Sequence, residues 1–132
     1  TGVDVLSEVT EKKLDDYGKV IFADDVVATI AGLAAVEVPG VASMSSGIAE
    51  MFGKKSHSRG VKVEVGEKET AIDLYVVVEY GVRIPEVAWN IQENVKKAVE
   101  TMTGLKVVEV NIYIQGVNFP KDSKQPEVEL EN

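Results

Sequence analysis

Cysteine is missing from all 132 residues, which removes disulfides, thiol nucleophiles and thiolate-held metals from consideration. Histidine occurs once, at His57, too few ligands for an ordinary zinc site. No apolar run approaches the ~18–20 residues that a membrane-spanning helix needs. The opening TGVDVLSEVTEKK lacks the basic-then-apolar order of a secretion signal. These absences fit a cytoplasmic protein with no cofactor. Positive charge is also scarce. There are 14 Lys and Arg against 22 Asp and Glu, a formal net charge of −8. Such a chain is a poor general binder of nucleic acid, because phosphate contact requires clustered cations.

The charge that is present is unevenly placed. Residues 1–16 hold Asp4, Glu8, Glu11, Asp15 and Asp16. Residues 121–132 hold Asp122, Glu127, Glu129 and Glu131. Between these ends, residues 54–62 carry Lys54, Lys55, Arg59 and Lys62 with no acid. Residues 1–16 read as a polar arm with Val5, Val9 and Lys13 at helical spacing. Residues 120–132 read as a disordered acidic tail, with charge, proline and no periodicity. One domain of ordinary core size, over residues 17–119, lies between them.

Within that domain, YGKVIFADD reads as a short strand, with Asp24 or Asp25 as the N-cap of the next helix. DVVATIAGLAAVEV is apolar nearly all round, with only Asp25, Thr29, Gly32 and Glu37 as exceptions, so it predicts a helix buried on more than one side. Ala28, Gly32 and Ala35 share a narrow face that would let another backbone approach, either the second helix or another subunit. VPG ends the helix, and VASMS follows as a short strand. GIAEMFG suggests one helical turn carrying Ile48, Met51 and Phe52.

VKVEV alternates strictly, and TAIDLYVVVEY returns as its hairpin partner, with Ile72, Leu74, Val76 and Val78 on the core face. RIPEVAWNIQENVKKAVETMTG is an amphipathic helix with a stripe from Ile84 through Ile91 and Val95 to Met102, opened by Pro85 and stopped by Gly104. Trp89 lies roughly 140° from the centre of that stripe at ~100° per residue, which turns it toward the wet side. There it can pack beneath the arm or meet a partner. LKVVEVNIYIQGVNF is the last strand, with Val108, Val110, Ile112 and Ile114 inward. The order β-α-β-β-β-α-β, with one polar face on every alternating strand, predicts an α+β two-layer sandwich: two helices on one face of a mixed sheet.

The search for chemistry ends without a constellation. His57, between Ser56 and Ser58, has sequence neighbours but no spatial convergence, and reads as a solvated loop residue. Gly47 and Gly53 precede Lys54 at phosphate-loop spacing, but Lys55 stands where the hydroxyl belongs. A KH-type comparison fails because the basic loop precedes a strand rather than joining two helices. The outer strand positions offer Tyr75 and Tyr113 among acids, residues suited to contact surfaces.

The ordered set Gly18–Phe22, Val26–Val36, Arg59-Gly60-Val61, Tyr80-Gly81, Thr103-Gly104 and Val110–Ile114 resembles the alkaline shock protein family of Gram-positive bacteria, the Gls or envelope-stress-response family. The resemblance spans residues 17–119. It implies a non-enzymatic protein of cell-envelope homeostasis that self-associates, lies peripheral to the inner face of the membrane, and reaches it through a membrane-anchored partner. It carries over no catalytic, cofactor or metal residues. Candidate interaction residues are Ala28, Gly32, Ala35, Tyr75, Trp89 and Tyr113. The alternative is a nucleic-acid- or anion-binding module using Lys54, Lys55, Arg59 and Lys62. Nucleic acid is not among the partners that the resemblance implies.

Overall fold

A computed structural model of the chain describes residues 17–45 and 59–120. The arm, the acidic tail, the turn carrying Ile48, Met51 and Phe52, and Lys54, Lys55 and His57 lie outside the described residues. The elements run α1 (Asp24–Val36), β1 (Val41–Met44), β2 (Val61–Val65), β3 (Glu69–Glu79), α2 (Ile84–Thr103) and β4 (Lys106–Asn118). The two-layer α+β class holds, with a mixed sheet and both helices on one face. The expected leading strand is not among the elements, because residues 18–23 have no regular structure. Val20, Ile21 and Phe22 are consecutive and do not alternate. Only Phe22 packs against the core, while Ile21 is 83% exposed.

The central strand is β3, whose inward residues Ile72, Leu74, Val76 and Val78 are fully buried. β4 pairs with it in parallel along its whole length, from Glu69↔Lys106 to Glu79↔Asn118. β2 pairs antiparallel with residues 70–74, and β1 antiparallel with residues 76–78. A strand has two edges, and β4 occupies one of them. β1 and β2 therefore lie end to end along the other.

β4 departs from simple alternation. Thr70 faces Val107 but Ala71 faces Glu109, so Val108 is an extra residue in a bulge. Val107 is buried and Val108 is 51% exposed, which reverses the expectation for Val108. Past the bulge, Val110, Ile112 and Ile114 stand in register with Ile72, Leu74 and Val76 on the inner face as expected.

The helices cover that inner face. Val87, Ile91, Val95 and Val99 recur every four residues on α2 and are buried. Ile84 and Met102, at the ends of the stripe, are exposed. Pro85 falls in the first turn, and Gly104 closes the helix at φ 79° with its N–H donating to the Glu100 carbonyl. On α1 the N-cap is Ala23, without a side-chain cap. Asp24 and Asp25 fall inside the first turn instead, where their charge favours the positive end of the helix dipole. The Asn94 amide cross-braces the layer by donating to the Ala34 carbonyl at 2.8 Å.

Candidate interaction surface

The opposite face of the sheet is covered by none of the described elements. Tyr75 and Tyr113 are register partners in the β3–β4 ladder, and their rings stack with centroids 4.8 Å apart at 14°. In a parallel pair, side chains in register project to the same side, which brings the two phenols together. Tyr113 remains 42% exposed.

Amide–carboxylate pairs flank the stack along the same ladder. Asn111 Nδ2 donates to Asp73 Oδ1 at 3.0 Å, and Asn118 Nδ2 donates to Glu79 Oε1 at 3.1 Å. Glu64 on β2 and Glu109 on β4 register with Ala71 from the two sides, and both are exposed. Lys62 stands on this face in register with Asp73, and Lys106 in register with Glu69. The strands thus present Glu64, Glu69, Asp73, Glu79 and Glu109 against two lysines, an acidic surface with an aromatic centre.

Tyr75 also marks the point where β1 ends and β2 begins. Its carbonyl accepts from the Ser45 N–H at 2.8 Å, and its N–H donates to the Gly60 carbonyl at 2.9 Å. Ser45 and Gly60 thus meet the same edge of β3 at one residue. Gly60 has φ +76°, and a Cβ there would lie 2.9 Å from Met44 Cβ and 3.0 Å from the Tyr75 carbonyl oxygen. Glycine is required on both counts. The described residues that flank the basic stretch therefore both lie beside Tyr75. Arg59 is exposed beside Gly60.

Ala28, Gly32 and Ala35 do not form an outward face. All three are buried within the domain, where small side chains let α1 lie close to its own neighbours. The exposed side of α1 is apolar through other residues: Val26, Leu33 and Val36 are 45%, 50% and 40% exposed. Trp89 is 59% exposed on α2, as its position on the wheel requires. One turn later, Gln92 Nε2 donates to the Val110 carbonyl on β4.

The segment before α1 is held by an exposed ion pair between Lys19 and Glu67 in the β2–β3 turn. The Lys19 ammonium, by hydrogen bond and then by charge, holds the Glu67 carboxyl below its ordinary value. Among the described residues no three His, Cys, Asp or Glu side chains converge to hold a metal, and no helix is long and apolar enough to cross a membrane.

A protein-family model matches residues 12–119. The chain belongs to the ASP23 family, which is described as having a cell envelope-related function. Its relatives include two uncharacterized proteins of Bacillus subtilis. YqhY is 45% identical over 118 residues, covering 86% of each chain, and YloU is 42% identical over 107 residues, covering 76% of this chain and 89% of that one. A stress response regulator gls24 homolog of Streptococcus pyogenes is 31% identical over 120 residues, covering 87% of this chain and 67% of that protein. Among solved structures, the MamM CTD aligns with a TM-score of 0.44 at 17% identity, over 70% of this chain and 96% of that one.

Nothing in the sequence pattern showed that β1 and β2 share one edge, or that Asp73 meets Asn111. The parallel register of β3 and β4 sets the second feature, and that register arises only in the fold.

Proposed function

We propose that this protein is a non-enzymatic interaction scaffold of the envelope stress response. It assembles with copies of itself and is held at the inner face of the membrane by a membrane-anchored partner. The observation that carries this reading is a sheet face with stacked tyrosines that no element among the described residues covers. Tyrosine combines a large apolar body with a polar tip and is enriched at contact surfaces. Membership of a cell envelope-related family supports the setting.

Copies meet through the helix layer rather than the sheet. Two acidic sheet faces repel, whereas the Val26, Leu33 and Val36 stripe on α1 bears no charge along its middle. Trp89 belongs to the same layer. Analytical ultracentrifugation of the wild type and of Leu33→Glu tests self-association: the wild type forms a concentration-dependent oligomer and the folded variant does not. A wild type that stays monomeric at high concentration removes this part of the reading.

Membrane recruitment is tested by co-sedimentation with inside-out vesicles from the source organism. The protein should sediment with native vesicles, and should fail to sediment with trypsin-stripped vesicles or with protein-free vesicles of anionic lipid. Nucleic-acid or anion binding gains no support as a second reading. Lys54 and Lys55 lie outside the described residues, and Lys62 stands among carboxylates.

A further inference from the structure

The sheet face that no element among the described residues covers has a definite electrostatic character, and that character selects its occupant. Among the described residues its five carboxylates outnumber its two lysines around a pair of half-covered aromatic rings. The carboxylates of Asp73 and Glu79 are oriented before any partner arrives, because Asn111 and Asn118 each hold one oxygen. Fixed acceptors beside flat aromatic rings suit a guanidinium or ammonium group, which can donate to the carboxylate and lie against the ring face.

A second copy of this chain cannot supply that group by presenting the same face, since like charges would be opposed. A bare membrane surface cannot supply it either. The cytoplasmic leaflet is anionic and the chain carries a net charge of −8. Membrane-anchored proteins do carry the complementary charge in the required location. Lys and Arg are concentrated in the short segments flanking the cytoplasmic ends of their spans.

We propose that the open face of the sheet, centred on Tyr75 and Tyr113, is the docking site for a lysine- and arginine-rich segment flanking the anchor of a membrane protein. The proposal rests on the membrane-anchored partner in the functional reading above and names the chemistry of its contact. Guanidinium or ammonium groups pair with Glu64, Asp73 and Glu109, and one cation lies over the tyrosine stack. An acidic soluble domain is thereby drawn to the membrane by the basic collar of a protein already embedded in it.

The probe is a fluorescein-labelled synthetic peptide of alternating arginine and serine, titrated into the full chain with fluorescence anisotropy at low and at high salt. The wild type should bind, and more weakly at high salt because charge–charge attraction is screened. Glu64→Lys with Glu109→Lys should weaken binding about tenfold or more. Tyr113→Ala should weaken it about threefold. Glu86→Lys with Glu93→Lys, an equal double reversal at exposed positions on α2, should leave it within about twofold. Circular dichroism checks each fold, and Glu64→Gln with Glu109→Gln serves if the double reversal does not fold.

A wild type that binds no tighter than the sheet-face variant overturns the assignment. So does a Glu86→Lys, Glu93→Lys variant that loses as much, because the attraction would then be to net charge and not to this face. Native vesicles separate the two levels of the claim. If the wild type and the sheet-face variant sediment equally with them, the scaffold reading stands and the docking assignment falls. If the wild type does not sediment at all, the scaffold reading falls, and the peptide titration alone decides the chemistry of the face.

Discussion

The two faces of the sheet are made by the same strands and differ in almost every physical respect. Leu74 points into the helix layer and is fully buried, while Tyr75, the next residue, points the other way into a half-covered aromatic pair. On the inner face β-branched and leucine side chains close against α1 and α2. On the outer face, acids, amides and two stacked rings meet no described element. One face is built to hold the domain together. The other is ordered by its own hydrogen bonds and is covered by none of the described elements.

The largest expected effect breaks the inner face. Leu74→Ala should cost about 2–5 kcal/mol of unfolding free energy, because a fully buried leucine leaves both lost burial and a cavity. Urea denaturation measures it. A loss below about 1 kcal/mol would mean that this face is less tightly packed than its burial indicates.

Gly60→Ala comes next, at about 1–3 kcal/mol, since a side chain there combines a left-handed φ with contacts near 3 Å to Met44 and the Tyr75 carbonyl. The same denaturation series measures it. A neutral result would show that β1 and β2 do not meet closely at Tyr75.

Tyr113→Ala should cost only about 1 kcal/mol, the scale of an aromatic pair with one side still open to water. If it cost as much as Leu74→Ala, the contrast between the faces would fail.

The smallest effect is pH-dependent. The folded-state value for Glu67 lies below its unfolded value. Its contact with Lys19 therefore contributes fully above the ordinary carboxylate range and is lost as pH falls through the depressed folded value. The side-chain NMR signals of Lys19 should shift through that acid window, and Glu67→Gln should abolish the change.

Much of the contrast was readable before any coordinates. Strict alternation in VKVEV and TAIDLYVVVEY marked which side chains face inward, because a period of two can bury only one face. The stripe of α2, with Pro85 and Gly104 at its ends, was equally legible. Three features were not. Val20–Phe22 has strand-like composition without alternation, and composition alone does not recruit a run to an edge. The bulge at Val108 shifts the phase of β4, and a strand pattern carries no mark of an extra residue. Ala28, Gly32 and Ala35 satisfy a need for close approach that α1 already meets inside its own domain. Their spacing cannot distinguish a neighbouring helix from a neighbouring subunit. The tyrosines were visible as outward residues, but their stacking depends on the parallel register of strands separated by the whole of α2.

The central claim, that the outer face serves a partner while the inner face serves stability, is tested most directly by one paired measurement. Tyr75→Ser with Tyr113→Ser is followed by thermal unfolding and by co-sedimentation with native inside-out vesicles. The double variant should still unfold in a single cooperative transition, yet remain in the supernatant under conditions where the wild type pellets. A folded double variant that pellets with the vesicles as fully as the wild type would contradict the claim.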